Sequence, residues 1–523
     1  MGRRRRLQVF FLNEDFGWAR TGIEVAALLR ERLFRCHLGL SPVILTMKYR
    51  SDAADVQQGA IAGGALEPCV RFLNMYDWYQ EMESAPRPGR RVAWQPGASL
   101  RIEPVPDTPG DQRIYDRAGR LAMYVFHSRT TGVLSYINHM DGRQPHRKSR
   151  RDFFHPSGVL SMTQILEGAQ EQVVREIYYR PDGSTALIKR YDLDQPARRL
   201  LYIDVCDAQG RVIERFAREE DLALAWLRSL VAADSEQTSI LIVDRSLLYL
   251  DAACALKQER GQRVKVVPVV HAVHVSDAAD LARSRTNRHY AGFLEQPAAI
   301  DAMVVLTEPQ AHDIGTRYGT GNIRVIPHGY DADPAEARAE FVQRDRFLLV
   351  YLARYAPEKR HDLALDVFAR VVSQVPAARL ALYGNGSQRT AIEEKVRALG
   401  LENSVTVGAF VSAVGPIYEQ AGLSLMTSTS EAFSLSLAES LAHGCPVAAF
   451  DVPYGVPDML RDGENGLVAP FGQIELLADK IVVLLNDAER HQKMSMQARD
   501  SAARFASMQV CQKWSDLMAQ MLQ

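Results

Sequence analysis

No apolar run in this sequence approaches the roughly 18–20 consecutive residues that a membrane-spanning helix requires, so an integral membrane protein is not expected. An excess of one charge is missing too. Lys and Arg number 62 against 63 Asp and Glu, a net charge of −1, which removes the global field that draws basic proteins to nucleic acid. Cysteine is sparse, six residues at 36, 69, 206, 254, 445 and 511, with no Cys-x-x-Cys and no paired spacing. That pattern argues against a disulfide framework or a zinc site and for reduced thiols in a cytoplasmic protein. A signal-peptide core is absent. Met1-Gly-Arg-Arg-Arg-Arg6 is basic, but Leu7–Leu12 is too short and lacks a small-residue cleavage site. It reads as the first buried strand behind a solvated lead-in, whose arginines imply at most peripheral contact with the inner face of the membrane. Internal repeats and low-complexity tracts are missing as well.

What is present is a chain of 523 residues with 47% hydrophobic and 24% charged content, enough for roughly three soluble domains. The first sixty residues alternate strand and helix: Val9–Leu12, Thr21–Phe34, Ser41–Thr46. From about Leu66 to Gly210 the pattern becomes short β-rich runs broken by turn chemistry. Val173–Tyr179 and Thr185–Tyr191 flank Arg180-Pro-Asp-Gly-Ser184; Leu200–Cys206 and Val212–Phe216 flank Asp207-Ala-Gln-Gly210; Ala122–His127 and Leu134–His139 flank Thr130-Thr-Gly132. Three successive hairpins imply an antiparallel meander inserted into an α/β domain. The α/β rhythm returns from Asp221, with strands at Ser239–Val243, Val264–Val270, Ala302–Leu306 and Ile323–Ile326, and Pro327-His-Gly-Tyr330 reads as a turn into a linker. A second block has strand starts at Phe347, Arg379, Val405, Leu423 and Val447, with helices at about 359–375, 387–399, 412–420 and 434–443. Repeated βαβ crossovers give doubly wound parallel sheets. The expected organisation is a first Rossmann-like domain from 1–65 and 211–330, a β-rich insert over 66–210, a second Rossmann-like domain over 331–506, and a 507–523 helix that crosses back to the first domain.

The chemistry concentrates in the second block. Leu423–Ser428 leads as a strand into Ser430-Glu431-Ala-Phe433-Ser434-Leu435, a helix carrying Glu439 follows, and Gly444-Cys-Pro446 closes it. Two carboxylates eight residues apart can grip separate parts of a hydroxyl-rich ligand, and the free N–H groups of Phe433, Ser434 and Leu435 offer a phosphate site. Hydroxyls plus phosphate describe a nucleotide-sugar. Upstream, Val350-Tyr-Leu-Ala-Arg354-Tyr-Ala-Pro-Glu-Lys359 places two cations at the end of a strand, where they can neutralise a diphosphate leaving group as a metal does elsewhere. Tyr383-Gly384-Asn385-Gly-Ser387 follows the next strand and either admits a base or phosphate to the backbone or shapes a tight turn. In the first block, Phe16-Gly17-Trp-Ala-Arg-Thr-Gly22-Ile-Glu24 enters a helix without a full Gly-x-Gly-x-x-Gly, which argues against a dinucleotide. Val269-Val-His271-Ala-Val-His274 ends a buried strand, so His271 can bond a sugar hydroxyl or steady an oxocarbenium-like transition state; which of His271 and His274 faces the donor stays open. His127, His139, His146 and His155 lack metal-ligand spacing and read as ordinary surface residues. Arg143-Gln-Pro-His-Arg-Lys-Ser-Arg-Arg151 reads as a solvated loop or a site for a polyanion.

With Asp451-Val-Pro-Tyr-Gly-Val-Pro-Asp458 and Arg461-Asp-Gly-Glu-Asn-Gly-Leu-Val468 added, residues 347–470 resemble the nucleotide-binding half of a GT-B glycosyltransferase of retaining family 4. The resemblance implies that Arg354 and Lys359 bind the diphosphate, that Glu431 contacts the donor sugar beneath the reacting carbon, and that Glu439 holds the ribose. It implies two facing Rossmann-like domains, with Gly17 and Gly22 close to diphosphate and acceptor. Phe471-Gly-Gln473 departs from the Gly-Asp often found there, at a position that is usually structural. Val70–Gln80 and the Arg175–Gly183 hairpin resemble the poly(glycerol-phosphate) α-glucosyltransferases, the wall-teichoic-acid α-N-acetylglucosaminyltransferases and the accessory Sec glycosyltransferase, in which such an insert serves oligomerisation or partner and acceptor binding. The implied activity is metal- and cofactor-independent, retaining transfer of glucose or N-acetylglucosamine from a UDP-sugar to a hydroxyl of a polyol-phosphate or glycosylated-protein acceptor. A homo-oligomer or a heteromeric partner through the insert is implied with it. An isomerase or phosphorylase on the same fold, and a non-catalytic partner subunit, are the alternatives. Donor sugar, acceptor and oligomeric state are not encoded legibly.

Overall fold

The computed structural model describes residues 6–18, 20–64, 66–84, 100–142, 144–193, 199–231, 237–331 and 344–523. The chain forms two units: Met1–Glu24, Pro42–Leu241 and Leu248–Val264 in the first, and Val25–Ser41, Ile242–Leu247 and Lys265–Gln523 in the second. Among the described residues no helix is long and apolar enough to cross a membrane.

In the first unit, Arg6–Asn13, Val43–Thr46 and Arg71–Asn74 pair in parallel, with Phe10 opposite Val43 and Val43 opposite Arg71. Val9–Leu12 and Val43–Leu45 are buried without alternation, as parallel strands covered on both faces should be. Arg71–Asn74 therefore extends the parallel sheet, although it lies within the stretch expected to form the β-rich insert. A single helical turn, Met75–Tyr79, follows because the Asn74 side chain accepts the N–H groups of Tyr76 and Asp77 at 2.9 and 3.2 Å.

Ten antiparallel strands, from Arg101–Pro104 to Val212–Phe216, then form one meander in sequence order. The three expected hairpins are all present. Four further strands join them, Arg101–Pro104, Gln112–Tyr115, Gln144–Phe154 and Leu160–Glu167. The arginine-rich stretch is thus a strand and not a loop. Ile114, Val125, Ile137 and Phe154 form one hydrophobic cluster of this sheet. Gln80 ties the parallel part to the meander by donating to the carbonyls of Ser161 and Tyr179 at 2.7 and 2.8 Å, and Tyr76 stacks on Tyr178 at 4.9 Å.

In the second unit a six-stranded sheet runs in the order Val405–Val407, Arg379–Tyr383, Asp345–Leu352, Ala421–Met426, Val447–Asp451, Gly466–Pro470. Every pairing is parallel. Sequence reasoning missed the last strand, a five-residue apolar run hidden behind the Arg461–Asn465 turn. Helices His361–Gln374, Arg389–Ala398, Gly415–Gln420 and Leu435–Ala442 make the crossovers. The chain builds outward from Asp345–Leu352 and then returns to lay Ala421–Met426 on its other side. That reversal opens a crevice at the carboxyl ends of these two strands, the place where open α/β sheets hold ligands. At the end of the chain, helix Ser507–Met521 sets Trp514 edge-on to Phe34 at 5.4 Å.

Candidate active site

Both strands at the reversal deliver a candidate residue. After Leu352, the Ala353–Ala356 backbone is pinned to the neighbouring loop: the Tyr355 N–H donates to the Asn385 carbonyl at 2.7 Å. A Cβ on Gly384 would stand 2.0 Å from the Ala353 carbonyl oxygen, so only glycine allows this approach. The Gly384-Asn385 loop therefore serves the chain's own backbone first. A single 3-10 turn, Pro357–Lys359, comes next. The Lys359 carbonyl accepts the Tyr351 hydroxyl at 2.6 Å and the Thr427 hydroxyl at 3.2 Å, fixing the lysine between the two strands.

From there Lys359 Nζ reaches Glu431 Oε1 at 2.6 Å, and the Ser428 hydroxyl donates to the same oxygen at 2.7 Å. The two side chains are 20% and 10% exposed, so the pair is largely withdrawn from water but open on one side. Burial acts to lower the ammonium pKa; the Glu431 carboxylate outweighs it, and Lys359 ends above its ordinary value. The backbone of Glu431 is clamped as well. Its N–H donates to the Pro453 carbonyl at 2.7 Å, and its carbonyl accepts the N–H groups of Tyr454 and Gly455. A Cβ at Gly455 would come within 2.0 Å of the Phe433 carbonyl oxygen, so glycine is required to close this loop on the segment that carries the glutamate.

Arg354 stands apart from that contact. Its guanidinium donates to Glu358 at 2.6 Å and is 56% exposed, yet its charge is near enough to act against that of Lys359. Glu439 lies within the Leu435–Ala442 helix, half-buried, and burial pushes its carboxyl up to about 7. Phe433 is a core residue, edge-on to His328 at 5.2 Å and to Phe505 at 5.3 Å, so only its backbone is placed for a ligand. Ser434 sits at φ 74° immediately before the helix, its hydroxyl 3.2 Å from that of Ser436. The first-turn N–H groups at Leu435 and beyond have no acceptor within the helix.

The histidines divide. His271 is 3% exposed at the side chain, and its Nε2 lies 2.8 Å from Asp244 Oδ1. The other Asp244 oxygen accepts Arg30 Nη2 at 2.5 Å. Burial opposes the charge on Asp244, but Arg30 and His271 overcome it and hold the carboxyl down at about 2. Burial also lowers His271. His274 is wholly buried and turned to the Tyr454 hydroxyl at 3.2 Å, while that hydroxyl donates to Asp313 at 3.0 Å. His274 is thereby engaged in protein contacts. Asp244, Arg30, His328, Tyr454 and Asp313 escaped sequence reasoning. For Asp244 the signal was its place directly after the apolar strand Gln237–Val243.

In the first unit, Gly17 is buried and Gly22 opens the Gly22–Leu33 helix at an exposed position. Glu24 accepts the Thr21 N–H at 2.8 Å, so this helix start already carries its own carboxylate. The charges of the arginine-rich strand are mostly partnered: Lys148 with Glu171 at 2.7 Å, Arg150 with Asp152 at 2.7 Å, Arg151 with Asn138 at 2.7 Å. Arg143 and the His146 side chain lie outside the described residues. His139 and His155, expected as ordinary surface residues, are half-buried and bonded to Asp152 and Ser157, each at 2.9 Å.

Residues 333–501 match the family model described as glycosyl transferases group 1, a span that contains Arg354, Lys359, Glu431 and Glu439. A crystal structure of a Staphylococcus aureus TarM mutant in complex with fondaparinux, alpha-GlcNAc-glycerol and UDP superposes with a TM-score of 0.80 at 18% identity, covering 98% of this chain and 99% of that one. The fold is GT-B, and its 333–501 stretch is similar to the glycosyl transferases group 1. Among curated relatives, the poly(glycerol-phosphate) alpha-glucosyltransferase of Bacillus subtilis is 29% identical over 511 residues, 96% of this chain and 73% of the relative. The UDP-N-acetylglucosamine–peptide N-acetylglucosaminyltransferase GtfA subunit of Streptococcus gordonii is 22% identical over 542 residues, 98% of each chain. The sequence resemblance to this group of glycosyltransferases thus extends over nearly the whole chain.

Proposed function

We propose that this glycosyltransferase moves glucose or N-acetylglucosamine from a UDP-sugar to a hydroxyl of a polyol-phosphate polymer or a glycosylated protein, with retention of configuration and without a metal ion or other cofactor. The observation that carries the reading is the Lys359–Glu431 ion pair at 2.6 Å, held at the carboxyl ends of the two strands where the sheet order reverses. The names of the relatives described above agree with it in donor and acceptor class.

In this reading the diphosphate lies against Lys359, Arg354 and the first-turn N–H groups after Phe433 and Ser434. Ionised Glu439 accepts the ribose hydroxyl hydrogens, and Glu431, steadied by Ser428, orients the sugar. The bond between the anomeric carbon and the UDP oxygen breaks as negative charge gathers on the β-phosphate, which the two cations stabilise. The acceptor hydroxyl enters on the face UDP leaves. Its oxygen bonds to the anomeric carbon and its proton passes to the departing phosphate oxygen, so configuration is kept. The β-rich stretch within 66–210 takes the acceptor or a second subunit, its own copy or a partner. The enzyme works in the cytoplasm, with at most peripheral membrane contact.

The test is a UDP-release screen of several UDP-sugars against polyol-phosphate, serine-rich protein and simple glycan acceptors, with and without EDTA. Acceptor-dependent release that survives EDTA is expected. Conversion of the UDP-sugar with no acceptor present points to an isomerase, and no release with any acceptor to a non-catalytic subunit.

A further inference from the structure

Asp244, Arg30, His271 and His328 form a buried cluster drawn from four separate stretches of the chain. Asp244 is 3% exposed and follows the Gln237–Val243 strand. Each of its oxygens has a distinct partner, His271 Nε2 at 2.8 Å and Arg30 Nη2 at 2.5 Å. A carboxylate gripped by a guanidinium has only lone pairs to offer, so the imidazole nitrogen facing it must carry the hydrogen. Nε2 of His271 is therefore the donor, and with burial driving the ring toward its neutral form Nδ1 keeps its lone pair. The ring is also held in orientation. His328 stacks on it at 5.6 Å and 17°, and His328 in turn meets Phe433, two residues after Glu431, at 5.2 Å.

We propose that Asp244, secured by Arg30, is a positioning residue for the transfer reaction: it fixes His271 as the Nε2–H tautomer, so that the ring presents Nδ1 as an acceptor for a hydroxyl of the donor sugar. This rests on the proposed transfer reaction and on the expectation, drawn from its place at the end of a buried strand, that His271 bonds a hydroxyl of the donor sugar. It makes His271 a neutral acceptor in the resting enzyme and gives a reason for burying an Arg–Asp pair whose packing alone apolar residues would supply at lower desolvation cost.

Two measurements decide it. Ring nitrogen NMR of the full-length, 15N-histidine-labelled enzyme, with the His271 signals assigned by their loss in His271→Gln, should show Nε2–H at neutral pH. An Nδ1–H or doubly protonated ring overturns the proposal, and this reading needs neither turnover nor a folded Asp244 variant. In Asp244→Asn the amide can donate to Nε2 and invert the tautomer. Turnover should fall at least tenfold while the Kd for UDP stays within about twofold, and Asp244→Asn combined with His271→Ala should be no slower than His271→Ala alone. Losses that multiply in the double variant, or Asp244→Asn turning over at the wild-type rate, contradict it. Should wild type release no UDP with any acceptor, the functional reading fails, and the tautomer still tells whether Asp244 sets the ring.

Discussion

Replacing Lys359 by alanine removes one half of the central ion pair and leaves the Glu431 carboxylate, 10% exposed, still accepting the Ser428 hydroxyl. Stranding a buried charge typically costs about 3–5 kcal/mol. Because a fifth of the lysine side chain is in water, the discounted expectation for stability is about 2 kcal/mol. The effect on rate should be larger. Lys359 is proposed to meet charge that develops on the leaving phosphate, and removal of one such group costs about 10²–10³ in kcat. Acceptor-dependent UDP release and urea unfolding, run on the same preparations, measure the two separately. The pH behaviour follows from the raised lysine. Its stabilisation is complete below the ordinary value of 10.5 and is lost only as pH rises through the higher folded value, so the stability difference between wild type and Lys359→Ala should be flat from about pH 6 to 9 with respect to this group. A Lys359→Ala enzyme within threefold of wild-type kcat would refute the assignment, as would a variant that loses activity only because it unfolds at the assay temperature.

Glu439→Gln should raise the unfolding temperature above pH 7 and leave it unchanged near pH 4. The folded carboxyl is pushed up to about 7 from an ordinary 4.5, so its burial penalty grows across that interval and is complete above it. The same variant should bind UDP more weakly than wild type, by a margin in calorimetry that widens from about pH 6 to 8 as the native glutamate ionises. Arg354→Ala should change stability by no more than about 0.5 kcal/mol, since its pairing with Glu358 is exposed, while UDP affinity falls about tenfold, the effect of losing roughly 1.4 kcal/mol. Gly455→Ala should lower kcat more than it weakens UDP binding, because the added Cβ would sit 2.0 Å from the Phe433 oxygen and must displace the segment bearing Glu431.

The α/β rhythm of the second block was readable because its crossover strands are largely continuous apolar runs, and the hairpins were readable because Arg180–Ser184 and Asp207–Gly210 carry turn residues. Arg71–Asn74 was harder to place. Four residues next to an aromatic stretch have no period of their own, and only their pairing with Val43–Thr46 puts them in the parallel sheet. Gly466–Pro470 was missed for a similar reason. The arginine-rich stretch read as a solvated loop or a polyanion site because its charges look unpaired; Glu171, distant in sequence, Asn138, on the adjacent strand, and Asp152, two residues on along the same strand, pair with them. At the site, Lys359 and Glu431 were visible as residues ending two strands, but their mutual contact at 2.6 Å was not, since 72 residues separate them. Asp244 and His328 carried no motif. Their place depends on long-range packing around His271, which spacing does not encode.

The central claim, that the Lys359–Glu431 site transfers a sugar from UDP to an acceptor, is tested most directly by proton NMR of the product formed from UDP-glucose or UDP-N-acetylglucosamine and a polyol-phosphate acceptor, comparing wild type with Glu431→Ala. The expected result is an α-linked product matched mole for mole by released UDP in wild type, with both lost in a Glu431→Ala protein that still melts as a folded chain. Undiminished transfer by Glu431→Ala, or a β-linked product from wild type, would contradict the account.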